Sequence, residues 1–227
     1  MAKVFIKMNA TEELALLDGN LLLHNEGKWD SPYNPVSGYT SFNDAGVECE
    51  VGELLYGFVR ALQPVRVLET GTHWGMGACY LALGLKHNKK GTLDTLEFLP
   101  EIYQVAVERF KRIGLTEYIH AYLIDAAKFE PAANYDLILL DTEPQTRFAE
   151  LTHFIEHLNY GGFVFIHDLH RHLGQVENEE HGFAFPFGKV NDAMVYLVKN
   201  DILRPFHFNT PRGLTGFYKV HPDDYKW

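Results

Sequence analysis

Several things are scarce in this 227-residue chain, and each scarcity narrows its chemistry. Cysteine occurs only at Cys49 and Cys79, with no CxxC spacing, which argues against a disulfide framework or a thiolate zinc site and fits a reducing cytoplasm. No apolar run approaches the length needed to span a membrane, and no basic stretch followed by an apolar one opens the chain. Positive charge is also in deficit. The formal net charge of −10 argues against a broad nucleic-acid or anionic-membrane surface. There is no internal repeat and no low-complexity segment. What remains is ordinary for a soluble globular protein: 46% hydrophobic and 22% charged residues, enough for one α/β domain with a sizeable core.

The pattern along the chain is expected to begin with an N-terminal extension over 1–46. It contains one short helix capped near Thr11-Glu12-Glu13, and a proline- and glycine-bearing loop over 29–39. Val51, Leu54, Leu55, Phe58 and Leu62 recur at helical spacing, predicting a helix over 47–62. From Pro64 onward strands and helices alternate. Strands are expected over 65–69, 92–97, 119–124, 135–141 and 163–167, with helices between them and Gly161-Gly162 breaking the last one before strand five. Two further strands, 204–209 and 214–220, are joined by Thr210-Pro211-Arg212-Gly213. The expected fold is α/β, a doubly wound, mostly parallel seven-stranded sheet of Rossmann-like form ending in an antiparallel hairpin, with 47–227 as its domain.

The densest signal is Val65 to Gly77, a strand that closes on Glu69 and enters a turn with Gly71, Gly75 and Gly77 before a helix. Glycine lets backbone approach a ligand without a Cβ in the way, and a helix N-terminus offers N–H groups to an anion. Glu69, Glu97, Asp125, Asp141 and Asp168 each follow a strand. In a parallel sheet these ends share one edge, so the five carboxylates are expected to converge on one crevice. Any one of them could simply cap a helix. Glu97, after the second strand, suits the ribose hydroxyls of either NAD or S-adenosylmethionine.

The segment Val67-Leu68-Glu69-Thr70-Gly71-Thr72-His73-Trp74-Gly75 resembles the first motif of class I S-adenosylmethionine-dependent methyltransferases, and of the catechol and caffeoyl-CoA O-methyltransferase group in particular. Glu48-Cys49-Glu50-Val51-Gly52-Glu53-Leu54-Leu55 is similar to that group's entry helix. Tyr135 to Asp141 resembles its fourth motif, and Pro211 to Phe217 its final hairpin. The resemblance runs from about Val47 to Val220. It implies that Glu69, Gly71, Gly75 and Gly77 face the methionine end of the cofactor, with Val47 closing over it, and that Thr72, His73 and Asp141 also bind the cofactor. It places Glu97 at the ribose, and Phe98, Asp125 and Ala126 beside the adenine.

The same resemblance implies a divalent metal, Mg or Mn, held by Asp141 and Asp168. Here, however, Leu169 stands where the group has an asparagine ligand, and His170 or His172 is the candidate replacement. The group's lysine base is absent, since Pro144 occupies its position; His170, His167 and Glu143 are the candidates for that work, with Asp141 beside the acceptor. The implied activity is O-methylation of a small-molecule acceptor, with no nucleic-acid or membrane partner, and the N-terminal extension could serve a homodimer. The rival readings are an NAD-dependent oxidoreductase and a non-catalytic cofactor-binding member of the fold. Acceptor contacts are expected from the loops over 29–44 and 169–187, including the aromatic segment over 183–187 as a lid.

Overall fold

The computed structural model describes residues 8–26, 38–42, 46–143, 145–171, 183–184, 192–210 and 212–223. Its strands are β1 (His24–Glu26), β2 (Tyr39–Ser41), β3 (Arg66–Thr70), β4 (Thr92–Glu97), β5 (Ile119–Leu123), β6 (Tyr135–Leu140), β7 (Leu158–His167), β8 (His170–Arg171), β9 (Phe183–Ala184), β10 (Leu203–Phe208) and β11 (Leu214–Lys219). The helices are α1 (Ala10–Asp18), α2 (Cys49–Leu62), α3 (Met76–Asn88), α4 (Pro100–Arg112), α5 (Arg147–Phe154) and α6 (Asp192–Lys199).

Seven strands form the main sheet in the order β10-β11-β7-β6-β3-β4-β5. The five from β7 to β5 are mutually parallel, and β11 runs antiparallel to both of its neighbours. Alternation along the strands feeds two cores. Val67, Leu137, Leu139 and Phe165 face one core together with α2 and α3, while Leu68, Ile138, Leu140 and Ile166 face the other with α5. Both faces of the central strands are thus covered, as their nearly unbroken apolar runs require. Chain order reverses between β3 and β6, which opens a crevice at the carboxyl ends of those strands.

Two local expectations are corrected. Gly161-Gly162 does not precede a strand but lies inside β7, which already begins at Leu158. Pairing with β6 jumps from Tyr135–Leu158 to Leu137–Phe163, so the glycines sit in a bulge, with Gly161 at φ +79°. At the N-terminus the cap is Asn9 rather than Thr11. The Asn9 side chain accepts from the Glu12 N–H, and Glu12 returns the bond to the Asn9 N–H. Thr11 is drawn inward instead, its hydroxyl 2.8 Å from the Tyr80 hydroxyl and its N–H on Glu53 at 2.6 Å. Asn9→Ala is expected to lower unfolding free energy by about 1 kcal/mol, measurable by urea denaturation.

α1 is joined to the body by charge as well as by Leu14. Asp18, with no exposed side-chain surface, accepts from Arg109 at 3.1 Å and from Arg112 at 2.9 Å, both on α4. Among the described residues no helix is long and apolar enough to cross a membrane.

Candidate active site

The turn between β3 and α3 is built for close approach. The N–H groups of Gly71 and Thr72 donate to the Leu96 carbonyl, which stitches the turn to β4. Gly71 has φ +81°, and a Cβ there would stand 2.4 Å from the Asp141 carbonyl oxygen. α3 then starts after its N-cap Gly75, itself at φ +87°, with no side-chain cap, so its first N–H groups are open to a ligand. A Cβ on Gly77 would lie 2.3 Å from Glu69 Oε1. The glycines therefore bring the helix N-terminus directly against the glutamate.

Glu69 is 1% exposed. Its Oε2 accepts from the Thr95 hydroxyl at 2.5 Å, and Thr95 is in turn hydrogen-bonded to Thr72. Burial, with added repulsion from Asp141 and Glu97, pushes the Glu69 carboxyl well above the usual carboxylate range despite the Thr95 bond. Glu97 plays a different part. Its two oxygens accept the N–H groups of His73, Phe98 and Leu99 at 2.9, 2.9 and 3.0 Å, tying the glycine turn to the loop after β4. Phe98 is left with 63% of its surface exposed. Asp125 accepts from the Ala127 N–H and so caps the short 3₁₀ turn at Ala126–Lys128.

Six charged side chains gather at the end of β6 and β7. Asp141 Oδ1 receives His167 Nδ1 at 2.9 Å and Arg147 Nη2 at 3.1 Å. Arg147 Nη1 reaches Asp168 at 3.1 Å and also the His167 carbonyl. His167 Nε2 lies 2.6 Å from Glu48, at the start of α2. Arg212 flanks Asp168 at 3.0 Å and donates to the Gly46 carbonyl at 3.3 Å. Burial alone would lower the His167 pKa, but the Asp141, Asp168 and Glu48 carboxylates outweigh it and raise it to about 10. Burial likewise opposes ionisation of Glu48 and Asp168, yet the neighbouring cations hold both below their usual values.

Asp141, Arg147, Asp168 and Arg212 line one cavity of about 900 Å³. All five strand-end carboxylates, Glu69, Glu97, Asp125, Asp141 and Asp168, face it, as do Val47, Gly71, Thr72, His73, Gly77, Phe98 and Ala126. Gly75 does not line the cavity but turns α3 beneath it, packed against Phe110. His170 lies on β8, and its side chain falls outside the described residues, as do His172 and most of both expected acceptor loops. Reading the sequence missed Arg147, Arg212 and Glu48. Arg212 sits in the quoted hairpin turn, and Glu48 was quoted too, but neither carried a role. Arg147 is flagged by no motif.

Residues 68–169 match the profile of a methyltransferase domain. The matched stretch includes Glu69, the glycine turn, Glu97, Asp141 and Asp168. The catechol O-methyltransferase of Mycobacterium tuberculosis (strain ATCC 25618 / H37Rv) is 25% identical over 128 residues, covering 55% of this chain and 57% of that protein. The chain thus spans about half the length of the curated relatives it matches. Two solved structures share its fold. The SAH-bound methyltransferase PaMTH1 of Podospora anserina superposes with a TM-score of 0.62 at 16% identity, covering 95% of this chain and 89% of that one. The O-methyltransferase TomG of Streptomyces achromogenes, in complex with SAM, superposes with 0.61 at 17% identity, covering 96% and 93%. The chain therefore has the expected Rossmann-like architecture, mostly parallel with an antiparallel end.

Proposed function

We propose that this protein is an S-adenosylmethionine-dependent methyltransferase acting on an oxygen of a small molecule. The observation that carries this reading is the placement of Glu69 and Glu97 in one cavity, joined by the glycine turn. In this reading the cofactor ammonium pairs with Glu69 and its carboxylate meets the open N–H groups of α3. The ribose hydroxyls reach Glu97, and the adenine lies by Phe98, Asp125 and Ala126. Val47 covers the methionine end, and the Gly46 carbonyl next to it is anchored by Arg212.

The sulfonium methyl is intrinsically electrophilic, so the protein's task is to align an acceptor and receive its proton. The acceptor oxygen attacks in line, an O–C bond forms as the S–C bond breaks, and S-adenosylhomocysteine leaves. Asp141 stands at this end of the cavity, fixed by bonds to Oδ1 from His167 and Arg147; its Oδ2 is the oxygen we assign to the acceptor hydroxyl. Relatives and solved structures named as O-methyltransferases support oxygen as the acceptor atom. We further propose 1–46 as an extension to a domain over 47–227. The two free thiols, both buried, support a reducing cytoplasm as its location.

Isothermal titration with S-adenosylhomocysteine tests the reading, with NADH as the competing ligand. Folded wild type should bind the first and ignore the second. Glu97→Gln, which weakens three N–H contacts and the ribose contact, should bind about tenfold more weakly. Failure of the wild type to bind S-adenosylhomocysteine would overturn the proposal.

A further inference from the structure

The strand-end aspartates are the oxygens on which the resemblance places a divalent cation, and Asp141, His167 and Asp168 do present ligand atoms close together. Several of those ligand atoms, however, are already bonded. Arg147, whose side chain is 4% exposed, bridges the two aspartates, with Nη2 on Asp141 and Nη1 on Asp168, each at 3.1 Å. His167 has one ring nitrogen 2.9 Å from Asp141 and the other 2.6 Å from Glu48, so both are already engaged. Leu169, beside Asp168, is fully buried and has no ligating atom.

We propose that the Arg147 guanidinium takes the place of a divalent cation at this centre, and that methyl transfer by this chain needs no metal. The second clause rests on the methyltransferase reading; the first does not. Charge supports the exchange. Arg147 and Arg212 already bring to Asp141 and Asp168 the two positive charges that a divalent ion would supply. An ion added beside them would put further positive charge into a largely buried site. To take the two aspartate oxygens that Arg147 holds, it would have to expel that guanidinium, which cannot lose its proton and is anchored by the Thr142 and His167 carbonyls. Arginine is also the better geometric match for two carboxylates, since its planar fork fixes both in register. It acts here as a positioning residue, holding Asp141 by Oδ1.

Mn(II) is the probe, followed through the loss of its electron paramagnetic resonance signal on binding and through thermal unfolding. Wild type, with or without S-adenosylhomocysteine, should leave equimolar Mn(II) free and unfold at the same temperature in Mn(II) as in EDTA. Arg147→Gln removes the charge and keeps a hydrogen-bonding amide. It should bind Mn(II) and gain stability from it. Arg147→Lys keeps the charge and should leave Mn(II) free.

Mn(II) bound by wild type and released in Asp168→Asn would overturn the proposal. So would a folded Arg147→Gln that ignores the ion. The wild-type measurement decides the matter even if that variant does not fold. Calorimetry separates this question from the cofactor. Wild type that binds neither Mn(II) nor S-adenosylhomocysteine would overturn the methyltransferase reading and leave Arg147 in the cation's place. Wild type that binds both would do the reverse.

Discussion

Gly71→Ala is expected to abolish S-adenosylhomocysteine binding and to lower the unfolding temperature by roughly 5–10 °C, the equivalent of about 2–3 kcal/mol in a chain of this size. Two costs combine. At φ +81° an alanine pays the left-handed penalty of about 1–2 kcal/mol. Its Cβ would also press 2.4 Å from the Asp141 carbonyl, and backbone cannot swing aside as a flexible side chain does. The Asp141 N–H donates to the Thr70 carbonyl, so relief of the clash must spread β3 from β6 at the mouth of the crevice. Gly19→Ala is the control. Gly19 has φ +69° with nothing within 4 Å of its Cβ position, so it carries the conformational cost alone. Scanning calorimetry on both variants isolates the clash. Equal shifts in the two, with ligand binding kept, would show that close approach at Gly71 is unimportant.

Glu69→Gln is expected to weaken S-adenosylhomocysteine binding by about 100-fold or more, because it leaves a buried ammonium without its counter-charge. The wild-type pH profile gives a second signature. Burial favours the neutral acid in the free protein. Its contribution to stability is therefore complete below the ordinary carboxylate pKa and is lost as pH rises through the raised value. The ligand ammonium favours the carboxylate instead. Where free Glu69 is protonated, binding must release a proton, and affinity should climb with pH until Glu69 is ionised before binding. Calorimetry in buffers of different ionisation enthalpy counts that proton. Glu69→Gln should show a profile flattened by the loss of this step. A flat wild-type profile with no proton release would remove Glu69 from the ammonium site.

Much of the proposed cofactor end was legible because its residues are local in sequence. Glu69 to Gly77 is one strand, one turn and one helix start, and the strand period placed Glu97 and Asp141 on the same sheet edge. The proposed acceptor end was not legible, because it is assembled across distance. Glu48 meets His167 from the far side of the chain, and Arg212 reaches Asp168 from the final hairpin. No spacing rule links such residues, and an arginine six positions after Asp141 reads as an ordinary solvated helix residue until it is seen nearly buried between two carboxylates. Leu169 did give a warning in sequence, as a missing ligand. What it could not reveal was the cation that fills the gap. The bulge in β7 was misread for a similar reason: paired glycines signal a break, and only the β6 register shows the strand continuing through them.

Arg109 leads to one more consequence. It spans from Asp18 at the end of α1 to the Trp74 carbonyl inside the glycine turn, with Nη1 at 2.7 Å from that oxygen. The first helix is thus wired to the floor of the ligand cradle through a single guanidinium. Shortening the protein to begin at α2 would take Asp18 away from Arg109 while its bond to the Trp74 carbonyl stayed in place. A trimmed version chosen for easier crystallisation would then report a loosened cradle, and a weak ligand titration from it would describe the truncation instead of the protein.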